Sequence, residues 1–161
     1  MEKTIFTEDH ENNRLVAVRR FEAPIEKVWN AWSDADLLSK WWAPAPYTCE
    51  IHTMEFYAGG FWMYTMNGPE GDAYTGRMDF LNIVKLEKIE AEEYFCDEKG
   101  EKAGDIPPMH LDVIFESDGV STTVTATYTY ASPEAFEQMV QMGAAEGWDL
   151  SCNQLEALLI K

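Results

Sequence analysis

The segment KWWAPAPYTCEIHTMEFYAGGFW, residues 40–62, places two adjacent tryptophans before a proline pair and two glycines before a third tryptophan. Successive helical residues point about 100° apart, so Trp41 and Trp42 cannot both face one core squarely. We expect one ring to pack and Trp42 to face a cavity mouth; the alternative is that both rings seal the helices against a sheet. Gly59-Gly60 predicts a turn or bulge with positive φ, or a close backbone approach to a ligand. The segment thus predicts one wall of an apolar cavity.

The residues before this segment predict one strand and two short helices. RLVAVRRF, residues 14–21, is β-branched and apolar enough for a strand, which Ala23-Pro24 ends because proline lacks an N–H. A helix is expected next, because apolar residues follow at i, i+3, i+4 and i+7, namely Ile25, Val28, Trp29 and Trp32. We expect Ser33 to cap a second short helix, whose apolar side carries Leu37, Leu38, Trp41 and Trp42.

Residues 47–130 predict six strands, at about 47–56, 60–66, 73–83, 86–96, 109–117 and 120–130. The last two alternate most clearly, and Ser117-Asp118-Gly119 predicts a tight hairpin turn between them. One face of the final strand is almost entirely threonine, which indicates an antiparallel sheet with one face in water and the other covered.

The C-terminal segment is predicted to cover that other face. Ser132-Pro133-Glu134 begins a helix, Gly143 interrupts it, and apolar residues then recur at helical spacing to the chain end: Trp148, Cys152, Leu155 and Leu159. Helices on one face of a curved antiparallel sheet define an α+β protein.

Composition narrows the function. The 161 residues predict a single domain, 1–161, in which residues 1–13 form an extra N-terminal strand or a flexible segment. A formal charge of −17 argues against nucleic acid and anionic membranes as partners. The chain shows no signal peptide or membrane span, and its three widely spaced cysteines suggest reduced thiols, so we expect a cytoplasmic protein.

Four stretches together resemble a known family. They are RRFEAPIEKVWNAWSDADLLSKWWAP (19–44), AGGFW (58–62), YTGRMDFLNIV (74–84) and EGWDLSCNQLEALL (146–159), and the likeness runs from about residue 14 to the end. They are similar to the activator of Hsp90 ATPase homologue 1-like domain of the START-like, or SRPBCC, superfamily. The acidic stretch 87–101 and the loop 98–110 look longer and more charged than the family's usual connection between strands.

The resemblance implies a helix-grip (START-like, Bet v 1-like) fold. Its features are a curved antiparallel sheet of six or seven strands wrapped around a long C-terminal helix, two short helices after the first strand, and a hydrophobic cavity. The superfamily includes lipid and hormone carriers, polyketide cyclases and co-chaperone domains, so the fold alone does not assign a function.

Three functions follow as hypotheses. The first is binding of a small hydrophobic or aromatic molecule in the cavity, which the abundant aromatic and methionine residues favour. The second is a stress-related interaction with an Hsp90-like chaperone, to which the acidic surface would contribute. The third is a polyketide cyclase-like enzyme that uses a carboxylate, His110 or a tyrosine in an apolar pocket, where burial would raise a carboxyl pKa toward neutrality.

The expected ligand-binding residues come from the WW pair, from the strands and from the final helical run: Trp42, Trp62, Tyr64, Tyr74, Met78, Leu111, Phe115, Tyr128, Trp148 and Cys152. We expect no cofactor and no metal site, and the sequence identifies no catalytic residue. Cys49 and His52 point to opposite faces of their strand unless a bulge intervenes, and His110 faces solvent if Leu111 and Phe115 point inward.

Overall fold

The structure is a computed structural model that describes residues 3–160; Met1, Glu2 and Lys161, at the ends of the predicted domain and terminal helix, lie outside the described residues. The strands are β1 Ile5–Asp9, β2 Arg14–Phe21, β3 Thr48–Met54, β4 Phe61–Asn67, β5 Ala73–Val84, β6 Lys88–Phe95, β7 Met109–Ser117 and β8 Thr122–Thr129. The helices are α1 Ile25–Ser33, α2 Ala35–Leu38, α3 Pro133–Gln141 and α4 Ala144–Leu159.

All eight strands form one curved antiparallel sheet in the order β1-β2-β8-β7-β6-β5-β4-β3. The predicted strand at 14–21 and the six strands of residues 47–130 are confirmed, with ends that differ by at most two residues. The α+β helix-grip fold is confirmed as well. Its sheet has eight strands instead of six or seven, because β1 pairs along the free edge of β2.

The two short helices follow β2 as expected, but the predicted cap was wrong. Ser33 is the last residue of α1, where its hydroxyl donates to the Trp29 carbonyl, and the Asp34 carboxylate instead accepts from the Leu37 amide at 3.1 Å. Serine and aspartate cap equally well, so adjacent candidates cannot be ranked by residue type. Because α2 ends at Leu38, Trp41 and Trp42 lie in the turns after it and not on its apolar side.

The C-terminal helix is broken where the sequence predicted. Ser132 caps α3 by accepting from the Ala135 amide at 3.1 Å, and Gly143 at φ 86° separates α3 from α4. A non-glycine residue would be strained in that left-handed conformation. Within residues 3–160, none of the helices is long and apolar enough to cross a bilayer.

The turn predicted at Gly59-Gly60 is confirmed. Gly59 has φ 93°, and a Cβ at Gly60 would overlap the backbone carbonyl oxygen of Glu55. This turn precedes β4 and directs Trp62 and Tyr64 into the interior, where they are 1% and 5% exposed.

Two side chains of α4 hold the irregular segment that follows α2. Gln154 Nε2 donates to the carbonyls of Trp41 (3.0 Å) and Ala43 (2.8 Å), and its Oε1 accepts from the Ala45 amide at 2.8 Å. The Ser151 hydroxyl donates to the Trp42 carbonyl at 2.8 Å. Backbone polar groups outside regular structure need such partners when they are removed from water. These four hydrogen bonds fasten residues 41–45 to the terminal helix.

We predict that Gln154→Leu lowers the free energy of unfolding by about 2–4 kcal/mol, because the carbonyls of Trp41 and Ala43 lose their partner in a partly buried place and the exposed Ala45 amide loses its partner as well. Gln138→Leu on the exposed side of α3 is the matched control and is expected to change stability by less than about 0.5 kcal/mol. Urea denaturation followed by circular dichroism measures both variants. Equal losses in the two would contradict a clamp at Gln154.

Candidate functional site

A cavity of about 200 Å³ lies between the concave face of the sheet and the first turns of α4. From the sheet and its margins it is lined by Tyr64, Met66, Gly76, Glu93, Tyr94, Phe95, Met109, Tyr128 and Tyr130. From the other side it is lined by Trp42, Pro44, Met139, Ala144, Gly147, Trp148 and Ser151. An apolar cavity of roughly 150 Å³ accommodates benzene, so this volume suits a molecule of one or two rings.

The alternation of β6 places one carboxyl group in this apolar space. Ile89, Ala91 and Glu93 point inward and are 1%, 0% and 6% exposed, whereas Glu92 between them is exposed. Successive side chains of a strand face opposite sides, so Glu93 continues the row that Ile89 and Ala91 begin. The register sets Glu93 between Met78 of β5 and Met109 of β7.

Two tyrosines donate hydrogen bonds to the Glu93 carboxyl group. Tyr128 OH lies 2.8 Å from Oε1, and Tyr64 OH lies 3.2 Å from Oε2. Burial raises the pKa of Glu93 to about 7, although the hydrogen bonds from Tyr128 and Tyr64 act in the opposite direction. Burial, together with the nearby Glu93 charge, also raises the pKa of both phenols well above the usual value. The tyrosines are therefore donors at neutral pH, and burial brings the pKa of Glu93 from its usual acidic value toward neutrality.

Gly76 creates the space that Tyr64 needs. A Cβ at this position would stand 2.6 Å from Cζ and from the hydroxyl oxygen of Tyr64, closer than carbon and oxygen atoms tolerate. The two residues are paired across β4 and β5, so the ring of Tyr64 crosses directly over the glycine backbone. In this position its hydroxyl reaches Glu93.

Tryptophan rings form the end of the cavity nearest α2. Trp42 contacts Trp148 and Tyr64, with ring centroids 5.9 Å and 6.1 Å away, and Trp148 contacts Tyr128 at 5.8 Å. Trp41 instead packs in the core, where it is 1% exposed and its indole N–H donates to the Ala31 carbonyl at 2.9 Å. Of the adjacent pair, Trp42 lines the cavity and Trp41 does not.

The structure brings four of the ten expected ligand-binding residues to this cavity, namely Trp42, Tyr64, Tyr128 and Trp148. Four others are packed in the core: Trp62, Met78, Leu111 and Phe115, each no more than 3% exposed. Cys152 lines a separate void of about 10 Å³ beside Arg19, a space for one water at most. Tyr74, near the start of β5, is 48% exposed and packs on Tyr47 at a centroid distance of 6.0 Å.

The remaining candidate side chains lie away from the cavity. His110 is on the outer face of β7, where its Nε2 is 2.8 Å from a Glu90 oxygen. His52 sits at a register shift in β3 and contacts the Thr65 hydroxyl at 2.7 Å. Burial raises the pKa of the Cys49 thiol to about 12, so it is un-ionised at neutral pH. Among the residues that the structure describes, no group of three or more His, Cys, Asp or Glu is placed to hold a metal ion.

Sequence reasoning missed Glu93, which sits in a run of charged residues that resembles a solvated strand. The signal that identifies it is the two-residue period of β6: Ile89 and Ala91 are the apolar members, and Glu93 is next in the same row. Partners 29 and 35 positions away, Tyr64 and Tyr128, then complete its surroundings.

The sequence model of one protein family, described as activator of Hsp90 ATPase homolog 1-like protein, matches residues 22–160. Protein Ms6760 from Mycobacterium smegmatis has a similar crystal structure, with 29% identity, TM-score 0.90, and coverage of 98% of this chain and 96% of that one. A solution structure from Arthrobacter aurescens has 30% identity and a TM-score of 0.91, with coverage of 96% of this chain and 90% of that one. A solution structure from Staphylococcus epidermidis has 31% identity and a TM-score of 0.84, with coverage of 95% of this chain and 93% of that one. No curated protein matches the sequence.

The buried carboxyl group makes a testable contribution to stability. The folded protein holds the Glu93 proton up to about pH 7, whereas the unfolded chain releases it near 4.5. This contribution is complete below pH 4.5 and is lost as the pH rises through 7. We predict that Glu93→Gln gains about 2–3 kcal/mol relative to the wild type between pH 5 and pH 8, as measured by urea denaturation.

Glu92→Gln is the control for that experiment, because Glu92 is the exposed neighbour on the same strand. Its stability difference from the wild type is expected to vary by less than about 0.5 kcal/mol over the same pH range. A Glu93→Gln difference that is independent of pH would show that the carboxyl group titrates as it does in the unfolded chain.

Proposed function

The chain belongs to the activator of Hsp90 ATPase homolog 1-like family, and from this premise we propose that it binds a small hydrophobic or aromatic molecule in the cavity between the sheet and α4. The cavity itself carries the proposal. Protein interiors are packed as densely as organic crystals, and a space of about 200 Å³ is several times the volume of a water molecule. Apolar walls around such a space favour an apolar occupant.

The lining supports a ligand with a ring and one polar group. Its rings and methionines supply adaptable apolar contact, and Glu93 with its two tyrosines supplies hydrogen-bonding groups at one place. Met66, Met109 and Met139 have flexible side chains that adjust to the outline of a ligand more readily than branched ones.

Two further hypotheses draw on relatives more than on the cavity. An interaction with an Hsp90-like chaperone draws on the family's name and on the acidic composition, and stimulation of such a chaperone's ATPase by this chain would support it. A polyketide cyclase-like activity would begin with binding in the same cavity, so ligand binding is the step to test first. We also propose a cytoplasmic location, since the three cysteines are free.

We predict that Gly147→Phe weakens ligand binding at least tenfold. Gly147 lines the cavity, and the nearest atom to a Cβ built there is Pro44 Cγ at 4.0 Å, so a larger side chain would enter empty space. Gly147→Ala is the matched control: it adds one methyl group, should stabilise α4 by up to about 1 kcal/mol, and should leave affinity within about twofold.

Calorimetry and native mass spectrometry with indole, 2-naphthol, p-cresol and a medium-chain fatty acid test the proposal. We expect dissociation constants of about 10–1,000 μM for ring compounds of this size. At least a tenfold loss is expected in Gly147→Phe. Failure of every compound to bind the wild type, or equal binding by Gly147→Phe, would count against the cavity as a ligand site.

A further inference from the structure

Two of the charged side chains that the structure describes, Arg19 and Glu93, are buried on the concave side of the sheet, and of these two only Arg19 has a counter-charge. Arg19 of β2 is 2% exposed, and its Nη1 donates to Asn153 at 2.8 Å and lies 3.4 Å from an Asp149 oxygen. Its Nη2 is 3.5 Å from Glu156. The helix α4 thus supplies counter-charges for Arg19. In the part of the chain that the structure describes, no ion pair includes Glu93, and its oxygens accept only from two phenols.

An unpaired buried carboxylate destabilises the fold. Removing such an ion from water costs several kcal/mol, and two hydrogen bonds from neutral donors recover only part of that. A cation beside Glu93 would recover more, because it adds the attraction between two opposite charges to a hydrogen bond. None of the residues that line the cavity is basic, so the protein leaves this place open to a cation from outside.

Five side chains that line the cavity contact one another in a closed circuit. Glu93 bonds to Tyr64 and Tyr128; Tyr64 contacts Trp42, Trp42 contacts Trp148, and Trp148 contacts Tyr128. Tryptophan and tyrosine rings attract a cation within about 6 Å of the ring centroid, most strongly when water is excluded. The circuit combines one negative charge with four electron-rich rings.

We propose that the cavity takes a protonated amine carried on a single aromatic ring or a similarly compact apolar group, with the ammonium bonded to the Glu93 carboxylate. This inference rests on the proposed ligand-binding function and adds the chemical class of the ligand. The cavity volume of about 200 Å³ suits one ring with a short chain. The formal charge of −17 raises the local concentration of cations and repels carboxylates of the same size.

Few other groups titrate around this place. The groups facing Glu93 are the phenols of Tyr64, Tyr128 and Tyr130, with the Cys49 thiol next to Tyr64 and Met78 and Met109 on the flanking strands. From the helices, the lining residues are the uncharged Met139, Ala144, Gly147, Trp148 and Ser151. Burial raises the pKa of Tyr64, Tyr128 and Tyr130, so of the groups named here Glu93 is the one expected to change charge between pH 6 and 8.

Calorimetric titration of the full chain with three probes of one shape tests the proposal: 2-phenylethylamine, 2-phenylethanol and phenylacetate. At pH 8 we expect the amine to bind at least about tenfold more tightly than the alcohol, and phenylacetate to bind most weakly. Amine affinity should rise about tenfold from pH 6 to 8, because binding requires the ionised carboxylate. Alcohol affinity should stay level or fall over that range.

Variants separate the charge from the shape of the site. Glu93→Gln keeps the size of the side chain and should weaken amine binding at least tenfold at pH 8, a loss that should exceed any change in alcohol binding at least threefold. Glu92→Gln, which removes a charge from the exposed face of the same strand, should leave both affinities unchanged. The wild-type pH series gives the same test without any substitution, should the Glu93 variant not fold.

Equal affinity for the amine and the alcohol in the wild type, or full amine affinity in Glu93→Gln, would overturn the inference and leave the cavity as a site for neutral ligands. If these probes and the panel of three ring compounds and a fatty acid above all fail to bind, the proposed function fails together with it.

Discussion

Part of the backbone of residues 41–45 is paired only by side chains of α4. The amides of Trp41 and Trp42 donate to the Leu38 carbonyl, but the carbonyls of Trp41, Trp42 and Ala43 and the Ala45 amide lie between α2 and β3, outside any helix or sheet ladder. Gln154 and Ser151 supply four hydrogen bonds to these groups, across sequence separations of 109 to 113 residues. Each bond stabilises the fold by only about 1 kcal/mol, but an unpaired buried group costs 1–3 kcal/mol.

The position of Trp42 is a consequence of this clamp. With its carbonyl held by Ser151, the indole lies against Trp62 at 4.7 Å and Trp148 at 5.9 Å, at the edge of the cavity. The same helix therefore closes the core on one side and forms a wall of the cavity on the other. The first turn of α4 carries two small residues, Ala144 and Gly147, at the cavity wall. Larger residues would be required there to fill the cavity with protein atoms.

The buried carboxyl group in the cavity lowers the stability of the fold when it ionises. Arg19 and Glu93 both point to the concave side, but acidic residues of α4 approach only the arginine. Phenols alone reach Glu93, and its pKa of about 7 corresponds to a stability loss of about 3 kcal/mol when it ionises. A protein that is stable by roughly 5–15 kcal/mol tolerates such a loss, and functional sites are where proteins carry such costs.

The sequence by itself determined the elements, and only the tertiary structure decided the site. Strand alternation, the stripe of α1 and the break at Gly143 are local periodicities, and they appear in the structure within two residues of the predicted ends. Local patterns also showed which residues could face inward, Tyr64 and Tyr128 among them. They could not show that Met78, Leu111 and Phe115 are packed while Trp148 lines a cavity, or that Glu93 has no counter-charge. Those facts depend on partners tens of residues away, because burial and pairing arise where distant segments meet.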